Sequence, residues 1–258
     1  MHVLGAFLAG VLVATVTTPA GVSGAVLLLP VQVSLLGVPS PAVTPTNLIF
    51  NLFATPSGVL RYRRLQRGSI VSPLAIRLLA GTVPGVVAGA VIRVEWLSGQ
   101  QAFSVAAGAV LAILGAMLVL RRPSAAARPL PLAAVPPIAA GVGVVGGIYG
   151  IGGGSFLAPI LILGGYTAYT VAPAALLSTL AASVVGVVAF VVLGATSDAA
   201  SPISPDWGVG IAAGAGGVIG AYIGAGLQSR IPEALLRRLL GSIALVIAAR
   251  YLYLGALG

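Results

Sequence analysis

Gly150-Ile151-Gly152-Gly153-Gly154 divides two apolar runs, near 138–149 and 155–165, each too short to cross a bilayer comfortably. A helix rises about 1.5 Å per residue and the hydrocarbon core is about 30 Å thick, so a straight span needs about 20 apolar residues. A second adjacent pair of short runs lies near 3–16 and 22–37, divided by Thr17-Thr18-Pro19-Ala20-Gly21. Broken or re-entrant helices are the natural reading of both pairs. Six longer runs, near 43–60, 71–93, 102–120, 171–194, 207–228 and 234–257, are long enough to span.

The composition agrees. Of 258 residues 59% are hydrophobic and 7% charged, with a mean hydropathy of +1.12. A soluble domain carries about 25% charged residues. An ordinary soluble protein, a disordered chain and a secreted disulfide scaffold are excluded, and an all-α polytopic membrane protein of roughly eight to ten membrane segments is expected. With no cysteine there is no disulfide, thiolate metal site or cysteine nucleophile. The N-terminus has no charged region ahead of its apolar run and no cleavage pattern, so it is expected to be mature structure.

All thirteen basic residues are arginine, against Glu95, Asp198, Asp206 and Glu233. No aromatic platform interleaves them, so nucleic-acid binding is not expected. Ten of the thirteen fall in three linkers: Arg61, Arg63, Arg64 and Arg67 in 61–70, Arg121, Arg122 and Arg128 in 121–131, and Arg230, Arg237 and Arg238 in 228–238. Arginine excess marks cytoplasmic loops. Placing these linkers inside puts 94–101, the acidic loop 195–206 and both termini outside.

The chain also repeats itself. Gly21, Gly24 and Pro30 recur as Gly150, Gly153 and Pro159; Val43 and Pro45 recur as Val171 and Pro173; Gly81, Gly85 and Gly89 recur as Gly216, Gly220 and Gly224. The basic linker 61–70 then corresponds to the acidic linker 195–206 on the opposite side. The expected organisation is an N-terminal repeat, 1–120, a cytoplasmic linker, 121–131, and an inverted C-terminal repeat, 132–258. Glycine-interrupted segments at matching places in two inverted repeats point to the binding site of a secondary transporter. Unwound backbone at that depth must be buried or line a wet cavity. N–H groups freed at a half-helix start, with the helix dipole, suit an anion.

Gly150-Ile151-Gly152-Gly153-Gly154-Ser155-Phe156-Leu157-Ala158-Pro159 resembles the glycine-rich signature of the TauE/SafE sulfite exporter family. Gly21-Val22-Ser23-Gly24-Ala25 with Pro30 is its first-half counterpart, although Ala25 stands where a third glycine is expected. Thr44-Pro45-Thr46-Asn47 and the basic linker fit the same layout. The resemblance covers nearly the whole chain and implies transport of sulfite, thiosulfate, sulfoacetate or related organosulfonates.

Other readings compete at each motif. Gly141-Val142-Gly143-Val144-Val145-Gly146 fits G-x-G-x-x-G, but Pro136-Pro137 precedes it and no acid follows before Asp198, so helix packing is preferred to a dinucleotide site. Gly21-Val22-Ser23-Gly24 is similar to a serine elbow, yet the single histidine is His2 and no span carries a carboxylate. No catalytic residue, metal or cofactor is therefore expected. The two glycine ladders are read as close-packing faces. Polar residues gather around the breaks: Thr17, Thr18, Ser23, Thr44, Thr46, Asn47, Asn51, Ser155, Ser178, Thr179 and Ser183. Asn47 and Asn51 share one helix face, either lining a pathway or bonding a neighbouring helix. Arg77 and Arg250 are the arginines read as lying within spans, and each either contacts an anion or snorkels to the interface.

The expected substrate site comprises Gly21, Ser23, Gly24, Thr46, Asn47, Asn51, Gly150, Gly152, Gly153, Gly154, Ser155, Ser178 and Thr179, with Arg77 as a further anion contact. The expected partners are a small anion and the lipid bilayer, with a homodimer left open. An anion channel, a permease for another small solute and a non-transporting structural membrane protein are the alternatives.

Overall fold

The computed structural model describes residues 2–18, 23–66, 71–120, 129–196, 203–227 and 232–257. Gly21 and most of the expected linkers lie outside the described residues. The described residues form ten helices and no strand: α1 (His2–Thr17), α2 (Ala25–Ser34), α3 (Val43–Gln66), α4 (Pro73–Glu95), α5 (Gln100–Leu120), α6 (Val135–Tyr149), α7 (Gly154–Leu163), α8 (Ala168–Thr196), α9 (Trp207–Leu227) and α10 (Glu233–Leu257). Six described segments are long and apolar enough to cross a membrane. The chain is a multi-pass membrane protein.

Two boundaries differ from the sequence reading. The run near 138–149 was expected to be too short; a 3-10 turn, Leu132–Ala134, leads into α6 and makes an apolar segment of 18 residues, Leu132–Tyr149. Pro136 and Pro137 sit in the first turn, where a missing N–H breaks no helical bond. The linker 61–70 is likewise helical at its start, because α3 continues to Gln66.

Local chemistry sets several helix ends. Ser72 caps α4 by accepting from the Ala75 N–H at 3.1 Å, with Pro73 following it. Asp206 caps α9, its carboxylate accepting from Val209 N–H at 2.9 Å. Gly150 closes α6 in the left-handed conformation, φ 81°, with its N–H on the Gly146 carbonyl.

The glycine ladders are packing faces, as expected. Gly81 lies on Pro136 and Ala139–Ala140, Gly85 on Ala140 and Gly143, and Gly89 on Val144 and Gly147. Gly10 meets the backbone of Ala213, while Gly216 and Gly220 meet Phe7 and Val11. Any Cβ there would enter a neighbouring backbone, so these helices are in direct main-chain contact. Advancing residue numbers on both sides show that α4 runs parallel to α6, and α1 parallel to α9. Thr46 and Ile49 meet Gly210 while Phe53 meets Gly214, so α3 also runs with α9. Thr82 meets Ser178 and Val86 meets Gly186, so α8 runs with α4. By contrast, α5 and α10 are antiparallel, with Gly108 on Leu252 and Gly115 on Gly241. The main pairings, α1 with α9, α4 with α6, α3 with α9, α4 with α8, α3 with α8 and α5 with α10, map onto one another when α1–α5 are exchanged for α6–α10.

Polarity is distributed inside out. Thr44, Asn47, Asn51, Ser155, Ser178, Thr179 and Ser183 are buried, while Leu12, Leu35, Ile113, Val246 and many other large apolar side chains are exposed. Such an outer face suits lipid, and the interior holds the hydrogen-bonding groups.

Candidate functional site

Helices α2 and α7 have ten residues each and are therefore about 15 Å long, half the hydrocarbon thickness. Each has a proline at the sixth position, Pro30 and Pro159. Their N-terminal ends meet. The Ser23 N–H, just ahead of α2, donates to Ser155 Oγ in the first turn of α7 at 3.0 Å.

Asparagines from α3 join both ends. Ser23 Oγ donates to Asn51 Oδ1 at 2.8 Å, Asn51 Nδ2 approaches the Gly150 carbonyl at 3.4 Å, and Asn47 Nδ2 donates to the Ala25 carbonyl at 2.8 Å. One helix face thus bridges the first break and the second. Hydroxyls from α8 and α4 close the other side. Gly154 N–H donates to Thr179 Oγ1 at 3.0 Å, and Ser178 Oγ lies 2.7 Å from Thr82 Oγ1. A Cβ on Gly152 would lie 2.7 Å from Thr179 Cγ2 and 3.0 Å from Ser183 Oγ. Gly152 and Gly153 have φ of 65° and 85°, a region that glycine enters without steric cost. Among the described residues, the N–H groups of Gly152, Gly153 and Ser155 have no hydrogen-bond acceptor. Two half-helix ends, three free donors and a ring of neutral hydroxyls and amides can hold a small anion.

The expected residues divide clearly. Ser23, Gly24, Asn47, Asn51, Gly150, Gly152, Gly153, Gly154, Ser155, Ser178 and Thr179 surround the two breaks. Gly24 packs on Phe50, and Gly21 is outside the described residues. Thr46 is buried but engaged elsewhere: it donates to the Ala42 carbonyl and accepts from the Asp206 N–H at 2.9 Å, tying the start of α9 to α3. Arg77 and Arg250 are exposed, Arg77 beside the exposed Ile76. Neither has a contact with the break among the described residues, which agrees with snorkelling.

The serine-elbow reading finds no base at Ser23, whose proton goes to an amide oxygen. His2 lies at the start of α1 beside an apolar groove lined by Leu8, Leu12 and Leu35. The G-x-G-x-x-G stretch lies wholly inside α6, with Gly143 on α4 and Gly146 on Gly152 and Gly153. It is a packing surface. No cluster of metal-binding side chains occurs among the described residues.

Residues not included in the expected site also contribute. Arg93 is the main one: the sequence reading counted only Arg77 and Arg250 within spans, but Arg93 is inside α4 and fully buried. Its Nε donates to Thr44 Oγ1 at 3.0 Å, its terminal nitrogens reach Ser40 Oγ and the Leu97 carbonyl, and its guanidinium lies 3.9 Å from the Phe103 ring centre. Four neutral partners replace a carboxylate. Thr44 in turn donates to the Ile148 carbonyl at 3.0 Å, which links Arg93 to the end of α6 and the second break. The expected span ends at residue 93, so Arg93 stands at its very edge and is not among the arginines counted within spans. Tyr149 and Thr82 carried no signal, because their partners come from distant helices.

Across residues 6–251 the chain matches the family model described as Sulfite exporter TauE/SafE. The chain belongs to the TauE/SafE sulfite exporter family. It is therefore a member of a family of membrane transporters. Comparison with curated proteins and with solved structures returns no match.

Proposed function

We propose that this TauE/SafE protein moves small sulfur-containing anions, such as sulfite, thiosulfate, sulfoacetate or another organosulfonate, across the cell membrane by alternating access. The observation that carries this reading is the meeting of the α2 and α7 N-terminal ends at Ser23 and Ser155. Both helix dipoles present their positive ends there, and the free N–H groups of Gly152, Gly153 and Ser155 need an acceptor. The neutral lining holds an anion without a fixed buried cation, and binding of that kind is readily reversed.

Two inverted repeats in the cell membrane, with the arginine-rich linkers inside and both termini outside, complete the proposal. Helix direction supports inversion. Since α1 and α3 run with α9, α6 and α8 run with α4, α3 opposes α8 and α5 opposes α10, the helices α1, α3, α4 and α5 oppose their counterparts α6, α8, α9 and α10.

A thermal-shift screen with sulfite, thiosulfate, sulfoacetate, taurine and sulfate tests the substrate class. A ligand of the folded state raises the melting temperature progressively with its concentration. Stabilisation by at least one sulfur anion, lost in Gly152→Val, is expected. Equal stabilisation of the wild type and that variant would remove the second break from the site.

A further inference from the structure

Two fully buried side-chain oxygens beside the second break, Asn47 Oδ1 and Ser183 Oγ, have no hydrogen-bond partner among the described residues. They approach one short stretch of backbone. A Cβ on Gly150 would lie 3.1 Å from Asn47 Cβ, and one on Gly152 would lie 3.0 Å from Ser183 Oγ. The Asn47 amide has its orientation assigned by its neighbour, because the Ala25 carbonyl accepts and must face the nitrogen. The free atom is therefore an acceptor and cannot donate.

That atom is out of place in a site for a plain anion. An anion offering only acceptor oxygens satisfies the free N–H groups and the Ser183 hydroxyl but sets lone pairs against Asn47 Oδ1. A buried acceptor left without a donor destabilises the complex. An oxyanion that keeps one proton satisfies both kinds of group, and its single charge is less costly to bury than two. We propose that the site selects the hydrogen-bearing, singly charged form of a sulfur oxyanion, hydrogensulfite over the sulfite dianion. Asn47 Oδ1 accepts from the ligand O–H, and Ser183 donates to a charged oxygen. The inference rests on the sulfur-anion reading given above.

Few titratable groups surround these atoms. Among the side chains that the structure describes, the charged or titratable ones on the elements packed around Asn47 and Ser183 are Arg93, occupied by Thr44, Ser40 and Leu97; Tyr149, which donates to Val26; Asp206, which caps α9; and Arg77, Glu95 and Tyr222, which are exposed. None of them touches Asn47 Oδ1 or Ser183 Oγ.

Calorimetric titration of the full-length protein with sulfite, on the acid and alkaline sides of sulfite's second ionisation, provides the test. Affinity for total sulfite is expected to fall at least about ten-fold on the alkaline side, the scale of one unpaired buried acceptor. In Asn47→Leu that dependence should flatten; the wild-type comparison stands alone if this variant fails to fold. Equal or tighter binding on the alkaline side overturns the proposal. So does a requirement for sodium over potassium, because a cation would then be the partner of Asn47 Oδ1. Absence of sulfite binding on both sides, with another sulfur anion bound, overturns the choice of hydrogensulfite and leaves the transporter reading intact. Binding of no sulfur anion at all refutes the underlying reading.

Discussion

The Tyr149 hydroxyl at the end of α6 donates to the Val26 carbonyl of α2 at 3.1 Å. Val26 lies four residues before Pro30, which has no N–H to return to it. A tyrosine from the second half of the chain therefore replaces a helical bond missing from the first. Tyr149→Phe is expected to destabilise the protein by about 1–3 kcal/mol, the cost of an unsatisfied buried group. Adding Pro30→Ala restores a donor for Val26 and should recover part of that loss. Denaturation of both variants in detergent measures the coupling; a double variant no more stable than Tyr149→Phe would show that the bond contributes nothing.

Gly152 and Gly153 of the second break differ in what they tolerate. A Cβ on Gly153 meets nothing closer than 3.5 Å, whereas on Gly152 it would lie 2.7 Å from Thr179 Cγ2. Both positions have positive φ, so alanine at either is strained by about 1–2 kcal/mol. Gly152→Ala should accordingly lose more transport than Gly153→Ala, and valine at either position should abolish it. Flux in proteoliposomes, normalised to inserted protein, gives the order. Normal flux in all four variants would make the break a simple bend.

Arg93 and Arg77 lie on one helix in opposite environments. Arg93→Gln removes charge-assisted bonds to Thr44, Ser40 and Leu97 and should cost about 2 kcal/mol of stability. Arg77 is exposed, and Arg77→Gln should change stability by less than about 0.5 kcal/mol and leave anion binding intact. Melting temperatures of the two variants decide the ranking. Loss of anion binding in Arg77→Gln would relocate the site.

Single cysteines at Gln66 and Ser201 are expected to react with an impermeant thiol reagent from opposite sides of the membrane. The native chain has no cysteine, so the background is clean. Reaction of both from one side contradicts inverted repeats.

Much of the fold was legible because lipid imposes length and hydrophobicity on every span. The breaks were legible too, since Gly24/Gly153 and Pro30/Pro159 stand at one offset and mark equivalent half-helices. Asn47 and Asn51 were found because amides are rare and conspicuous in an apolar helix. Thr46 looked the same in sequence but serves the Asp206 loop, a distinction that depends on a contact 160 residues away. Arg93 was missed for a related reason. Its side-chain acceptors, Ser40 and Thr44, are neutral and belong to other segments, and the nearby acceptor is only the Leu97 backbone carbonyl, so no neighbouring side chain advertised a buried charge.

The bare backbone contacts of the glycine ladders change what counts as a part of this molecule. α1 is fused to α9 and α4 to α6, so each tight helix pair draws one member from either side of residues 121–131. The midpoint of the chain is a seam in the gene and not in space. A polypeptide ending there would expose two unfilled glycine faces and would need a second copy to cover them. Any rigid bodies that rock against each other must then be mixed bundles, α1 with α9 and α4 with α6. Cross-linking within such a pair should leave motion free, while cross-linking between pairs should arrest it.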